Sequence, residues 1–239
     1  MVKTNDKSKF DELLKDPNTT TVVIHPDDIQ KLINQGLVQE KFITYEEYVN
    51  TLYEERKNNA VELLKKLPKI DKSIADGVIS NIYEEIRSSY AFGVFTSTIF
   101  NSILLLEYSM RSRLYKERLK HNPKAEWSML ERLDMGGLIP QLKKCRVIDK
   151  DESSILDDFS KNLRNPYLHF NIYKLVDGIA MKSLPSLNIA TQKMTGEIDV
   201  DAKKYRFVWF SAKQFFDRER VQDVINFCVH WTNKLLTTV

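Results

Sequence analysis

Residues 102–114, Ser-Ile-Leu-Leu-Leu-Glu-Tyr-Ser-Met-Arg-Ser-Arg-Leu, decide the fold class. Read from Ile99, the apolar positions Ile99, Ile103, Leu106, Met110 and Leu114 recur at three to four residues. That is one face of an α-helix and not the alternation of a strand. The uncharged run reaches back to Ser88, long enough to test as a membrane span. Ser88, Ser89, Thr96, Ser97, Thr98, Asn101 and Ser102 interrupt it and Glu107 follows directly, so a buried core helix is expected and no membrane partner. Pro123 stops anything that extends that far.

Helical signals continue on both sides. Upstream, Asp71 or Ser73 is expected to cap a helix carrying Ile74, Val78, Ile82 and Ile86. Thr44 with Glu47 three residues on forms a capping-box pattern for a helix to about Leu67, which ends before Pro68. Pro26 with Asp27 and Asp28 opens a helix through Leu37; 20–24 reads as a short strand and 10–14 as a short helix. Downstream, Gly136-Gly137 reads as a break before a short helix from Leu138 to Cys145. Asp149 or Asp151 caps a helix with Ile155, Leu156, Phe159 and Leu163 on one side, and another helix is expected from Pro166 to Val176. Between 183 and 210 the pattern turns β-branched and aromatic around Thr195-Gly196, which predicts a small hairpin. A last helix spans about Lys213 to Leu236. The expected architecture is mainly α: an N-terminal helical extension over 1–70, then a helical domain over 71–239 with a β-hairpin insertion near 183–210.

Composition narrows the function classes. Across 239 residues the net charge is only +3, from 36 basic and 33 acidic side chains. Any polyanion must therefore be held by a local patch and not by the mean field. Arg111, Arg113, Lys116, Arg118, Lys120 and Lys124 against Glu117 form one basic run, either a solvated helix face or a phosphate-contacting surface. Two cysteines, Cys145 and Cys228, give neither a disulfide framework nor metal-ligand spacing, and a reducing, cytoplasmic location fits. The polar N-terminus is not a signal peptide. Phosphate-cradling glycine loops and nucleophile elbows are absent from the sequence, so no cofactor is expected.

The segment carrying chemistry is Arg164-Asn165-Pro166-Tyr167-Leu168-His169. Pro166 restricts Asn165 to extended backbone, so the preceding helix should end near Arg164. Asn165 is then a natural N-cap and Pro166 a natural first helical residue. His169 would close the first turn, and Arg164 and His169 would bracket a helix N-terminus, where anions bind. These residue types suit phosphodiester cleavage in RNA. A histidine can move the 2′-hydroxyl or leaving-group proton, an arginine can meet the charge on the phosphorane, and Asn165 can orient either.

This segment and its surroundings resemble the HEPN superfamily (higher eukaryotes and prokaryotes nucleotide-binding), in which an R-x4-H motif with a polar residue after the Arg sits in a helical bundle. Arg164, Asn165 and His169 occupy the motif positions. The apolar helix with its embedded acid (102–114), the Gly-containing loop (133–144) and the helix into the motif (155–170) also match, over about residues 85–178 plus the last helix. Phe170 stands where many members have Gly.

The resemblance implies a metal-independent endoribonuclease leaving 2′,3′-cyclic phosphate and 5′-hydroxyl ends. It implies a homodimer whose composite site draws Arg164 and His169 from both chains. A role in bacterial anti-phage defence or a toxin–antitoxin system follows, with an antitoxin or regulatory protein as a further partner. Some members are instead non-catalytic modules that dock a protein or nucleotide partner. Glu107 would orient Arg164, or pair with Arg111 or Arg113. Tyr167 would stack on a base, or pack at the dimer interface or in the core. Arg111, Arg113 and Lys116 are the candidate RNA contacts of the basic run.

Overall fold

Thr44 opens the first helix by the expected reciprocal cap: its amide donates to Glu47 Oε2 at 2.8 Å and its Oγ1 accepts from the Glu47 amide at 3.1 Å. The computed structural model describes residues 44–188 and 193–237, which fall into two compact units. One comprises 50–175 with 213–237, and the other 176–212 with 44–49. The expected elements before residue 44 lie outside the described residues.

The chain is mainly helical. Helix α1 spans Tyr45–Lys65, α2 Gly77–Ala91, α3 Phe95–His121, α4 Ser128–Glu131, α5 Met135–Lys144 and α6 Lys150–Phe159. A π-helical turn, Ser160–Arg164, joins α6 to α7, Asn165–Leu168; α8 is Ile172–Leu175 and α9 Trp209–Thr237. Helix α3 is the spine of the larger unit. Most of its buried positions are adjacent, Thr98 with Ile99, Ser102 with Ile103, Leu105 with Leu106, Ser109 with Met110, and Arg113 with Leu114. That face is too wide for a single neighbour. Ile79, Ile86 and Tyr90 of α2, Leu138, Ile139 and Leu142 of α5, Leu156 of α6, and Val224, Ile225, Cys228 and Val229 of α9 share one core with it. Fully burying each such Leu or Ile is worth about 1.5–3 kcal/mol. Small hydroxyls let α3 and α9 approach: Ser109 Oγ donates to the Leu105 carbonyl at 2.7 Å and bonds Thr232 Oγ1 at 3.1 Å.

Several boundaries differ from the sequence reading. Residues 50–70 belong with the helical unit and not with a separate extension. Asn233 ties them to it by donating to the Lys69 carbonyl (3.1 Å) and accepting from the Asp71 amide (3.1 Å), and the Tyr83 hydroxyl donates to the Pro68 carbonyl. Asp71 spends its carboxylate on Ser73, so the cap of α2 is Asp76, which accepts from Val78 and Ile79. Gly136 and Gly137 are no break: they form the first turn of α5, capped by Asp134. Asp149, not Asp151, caps α6 through a capping box with Glu152.

In the smaller unit, β1 (Ala180–Asn188) and β2 (Lys193–Asp201) form an antiparallel hairpin. Thr195-Gly196 sits inside β2 and not in the turn; Gly196, at φ +103°, pairs with Ser186 beside a register shift, a bulge that favours glycine. The aromatic stretch after it is helical, a 3-10 turn over Arg206–Val208 leading into α9, and Trp209 Nε1 donates to the Ala202 carbonyl at 2.7 Å. Among the described residues, no helix is long and apolar enough to cross a membrane.

Candidate active site at the Arg164–His169 turn

The motif is not a helix N-terminus. Asn165 (φ −65°, ψ −44°) and Arg164 (φ −57°, ψ −52°) are both α-helical, and the helix runs through the proline. A proline removes one donor and its ring collides with the carbonyl four residues back. The π turn resolves this by widening the helix one residue ahead of Pro166, and the Asn165 amide donates to the Ser160 carbonyl. His169 therefore lies at the C-terminal end of the turn, and the N-terminal anion site expected from the sequence is not formed. The helix stops with Phe170 in the left-handed region (φ +49°). Phe170 donates to the Tyr167 carbonyl at 3.1 Å and Asn171 to the Pro166 carbonyl at 2.7 Å, the two bonds of a Schellman ending. Glycine usually fills that position because it has no Cβ to strain.

Arg164 is buried, with 7% of its surface exposed. Its Nε and Nη2 donate to Glu107 Oε1 at 2.8 and 2.7 Å, and its Nη1 donates to Asn165 Oδ1 at 2.8 Å. Asp134 Oδ2 lies 3.8 Å from Nη1. Glu107 serves both expected partners, because its Oε2 accepts from Arg111 Nη2 at 3.1 Å, and Arg111 also donates to the Leu133 carbonyl at 2.9 Å. One buried carboxylate thus holds two guanidinium groups. A lone carboxylate at this depth would be costly; flanked by two cations it is satisfied. Of the five N–H groups of Arg164, three are used by Glu107 and Asn165.

Asn165 carries the network outward. With its oxygen held by Arg164, the carboxamide keeps its Nδ2 donor for a cavity of about 490 Å³ that it lines. Lys161, Asn162, His169, Asn171 and Lys174 line the same cavity, and among the described residues no carboxylate does. The His169 imidazole is exposed. Lys174 Nζ gives one hydrogen bond to the Lys161 carbonyl at 2.7 Å and retains two donors. Such a wall of amides, ammonium groups and one imidazole suits a phosphate-bearing ligand.

Lys161, Asn162, Asn171 and Lys174 were missed in the sequence, although Lys161, Asn165 and His169 stand four apart, a polar face opposite Leu156, Phe159 and Leu163. Two residues read as candidate RNA contacts are buried, and Tyr167 takes the core alternative of its reading. Tyr167 is 1% exposed: its hydroxyl donates to Asp217, and burial first, then that carboxylate, push it far above the usual phenol range. It cannot stack on a base. Asp217 also accepts from Thr96 and from Lys213 Nζ at 2.6 Å, so the turn is anchored to α9 from beneath. Arg113 is buried against Glu117 at 2.8 Å and is lost to any phosphate. Arg111 is committed to Glu107, and of the three only Lys116 is exposed.

Among the described residues, no group of three or more His, Cys, Asp or Glu is placed to hold a metal ion. Comparison with protein-family models, with curated proteins and with solved structures finds no match for this chain.

Proposed function

We propose that the chain is a cytoplasmic, metal-independent endoribonuclease of the HEPN type, acting as a homodimer in bacterial anti-phage defence or a toxin–antitoxin system. The observation that carries the reading is the relay Glu107–Arg164–Asn165 ending at a carboxylate-free cavity beside His169. In the reaction, His169 of one protomer takes the proton from a ribose 2′-hydroxyl, whose oxygen attacks the adjacent phosphorus. The bond to the 5′-oxygen breaks, and the second protomer's histidine protonates that leaving oxygen. The products are a 2′,3′-cyclic phosphate and a 5′-hydroxyl. Lys161, Lys174 and the Asn165 amide on the cavity wall meet the charge that builds on the phosphorane, and Arg164, buried and off that wall, acts by holding Asn165 in place. Proton transfer of this kind contributes roughly 10²–10⁴-fold.

A second reading has its own support. Arg164 is buried and already holds two partners, as a structural arginine would. On that reading the chain is a non-catalytic HEPN module that docks a protein or nucleotide partner. Mixing separates the two. Wild type is exchanged with increasing His169→Ala protein while RNA cleavage is followed. A cleft needing both histidines loses activity as the square of the wild-type fraction. A proportional loss, or a strictly monomeric wild type that cleaves, contradicts the composite site. RNA left intact by wild type favours the docking module.

A further inference from the structure

A second cavity, of about 470 Å³, lies where the C-terminal ends of α3 and α5 meet, lined by Arg118, His121, Lys144 and Arg146. Its one carboxylate, Glu117, is already paired with Arg113 at 2.8 Å and Lys120 at 3.0 Å. Arg118 donates to Gln141, which fixes its guanidinium on the wall. Neither Lys144 nor Arg146 has an ion-pair partner among the described residues. Cations near a helix C-terminus are ordinary, because they offset the dipole. That accounts for the charges of Arg118, Lys144 and Arg146, but not for a non-glycine residue at Arg146, which stands past the end of α5 at φ +57°. It repeats the Schellman ending found beside His169: Arg146 donates to the Lys143 carbonyl at 3.0 Å and Val147 to the Leu142 carbonyl at 3.0 Å. Arg146 and Phe170 are the two non-glycine residues with positive φ among the described residues, and each adjoins a cationic cavity. A bulky residue held where glycine is easier points to something the side chain does.

We infer that this cavity is a phosphate subsite for a single-stranded RNA whose scissile bond sits at the Arg164–His169 turn. The inference rests on the ribonuclease reading. Asp134, which caps α5, is 3.8 Å from Arg164, and the ten residues of α5 span about 15 Å. The subsite therefore lies a few nucleotides from the scissile phosphate. Its ligand is the sugar–phosphate backbone and not a particular base, since Arg118, Lys144 and Arg146 dominate the polar wall and both Glu117 and Gln141 are already engaged there.

The test uses the full chain, a fluorescent single-stranded RNA of about a dozen nucleotides, and two variants, Lys144→Gln/Arg146→Gln and Arg146→Gly. Each phosphate contact on a single strand contributes about 0.7 to the slope of log K against log salt. Losing two contacts lowers that slope by about 1.4 and weakens binding about 25-fold at 0.1 M salt. The same loss raises KM for cleavage. Arg146→Gly separates the charge from the fold. Relief of the left-handed strain makes it melt at or above the wild-type temperature, while binding weakens about fivefold. An arginine with a purely structural role gives a lower melting temperature instead. Wild-type cleavage with unchanged slope and KM in both variants overturns the subsite and leaves the ribonuclease reading standing. Absence of RNA binding and cleavage in wild type overturns both.

Discussion

Replacing Glu107 by Gln removes one charge from a buried carboxylate that holds two guanidinium groups, while keeping its shape. In the wild type, Oε1 accepts from Arg164 Nε at 2.8 Å and Nη2 at 2.7 Å, and Oε2 accepts from Arg111 at 3.1 Å. Glutamine keeps one acceptor oxygen and turns the other into a donor facing a guanidinium. If the oxygen stays with Arg164, the Arg111 bond is lost; Arg111 is the more exposed partner and keeps the Leu133 carbonyl. Hydrogen bonds to charged groups are worth about 1.5–3 kcal/mol, and removing one partner of a buried pair costs about 3–5 kcal/mol. We therefore expect a loss of about 3 kcal/mol. At about 2–4 °C per kcal/mol for a chain of this size, the melting temperature falls by roughly 6–12 °C. Denaturant unfolding of Glu107→Gln, Arg164→Met and the double variant gives the coupling directly. The double variant should recover more than about 1.5 kcal/mol of the summed single losses, because Arg164 is gone and the glutamine oxygen is free to accept from Arg111. Additivity within about 0.5 kcal/mol would refute the claim that Glu107 holds Arg164.

Two other expectations concern the same turn. Phe170→Gly relieves the left-handed backbone at an exposed position and should stabilise the protein by about 0.5–1 kcal/mol, read from the urea midpoint at constant slope; a loss of stability means the ring packs against something that holds the turn. Tyr167→Phe deletes one of the donors to the buried Asp217 and should cost about 1–3 kcal/mol, checked by the same unfolding curve; a neutral change means that Asp217 is satisfied by Thr96 and Lys213 alone.

How much of this was legible in the sequence depended on how local the physics was. The cap at Thr44 was readable because a capping box is closed within four residues, whereas Asp149 was one of two candidates although its box with Glu152 is equally local. The spine helix was readable because its apolar spacing spans several turns. Pro166 misled because a proline's usual effect, ending a helix, was overridden by a π turn whose evidence lies in the backbone and not in residue type. Tyr205–Phe210 misled because aromatic and β-branched residues favour strands only as a weak prior, and here the stretch leads into a 29-residue helix. The pairing of Glu107 with Arg164 was anticipated, but across 57 residues no local signal could choose between Arg164 and Arg111, and the fold uses both. Arg113 looked like a surface contact, and Tyr167 stood between base stacking and packing, because burial is a property of the packed core and not of the motif. The lysines flanking the cavity were missed because Lys174 reaches it only after the chain turns back at Phe170.

On the proposed function, the turn around His169 cleaves RNA by general acid–base chemistry. Its most direct test is the cleavage of several single-stranded RNAs in excess EDTA by wild type and His169→Ala, with the product ends identified. Wild type should give 2′,3′-cyclic phosphate and 5′-hydroxyl ends, undiminished by EDTA, and His169→Ala a rate lower by roughly 10²–10⁴-fold. Cleavage that EDTA abolishes, or equal rates in the two proteins, would contradict it.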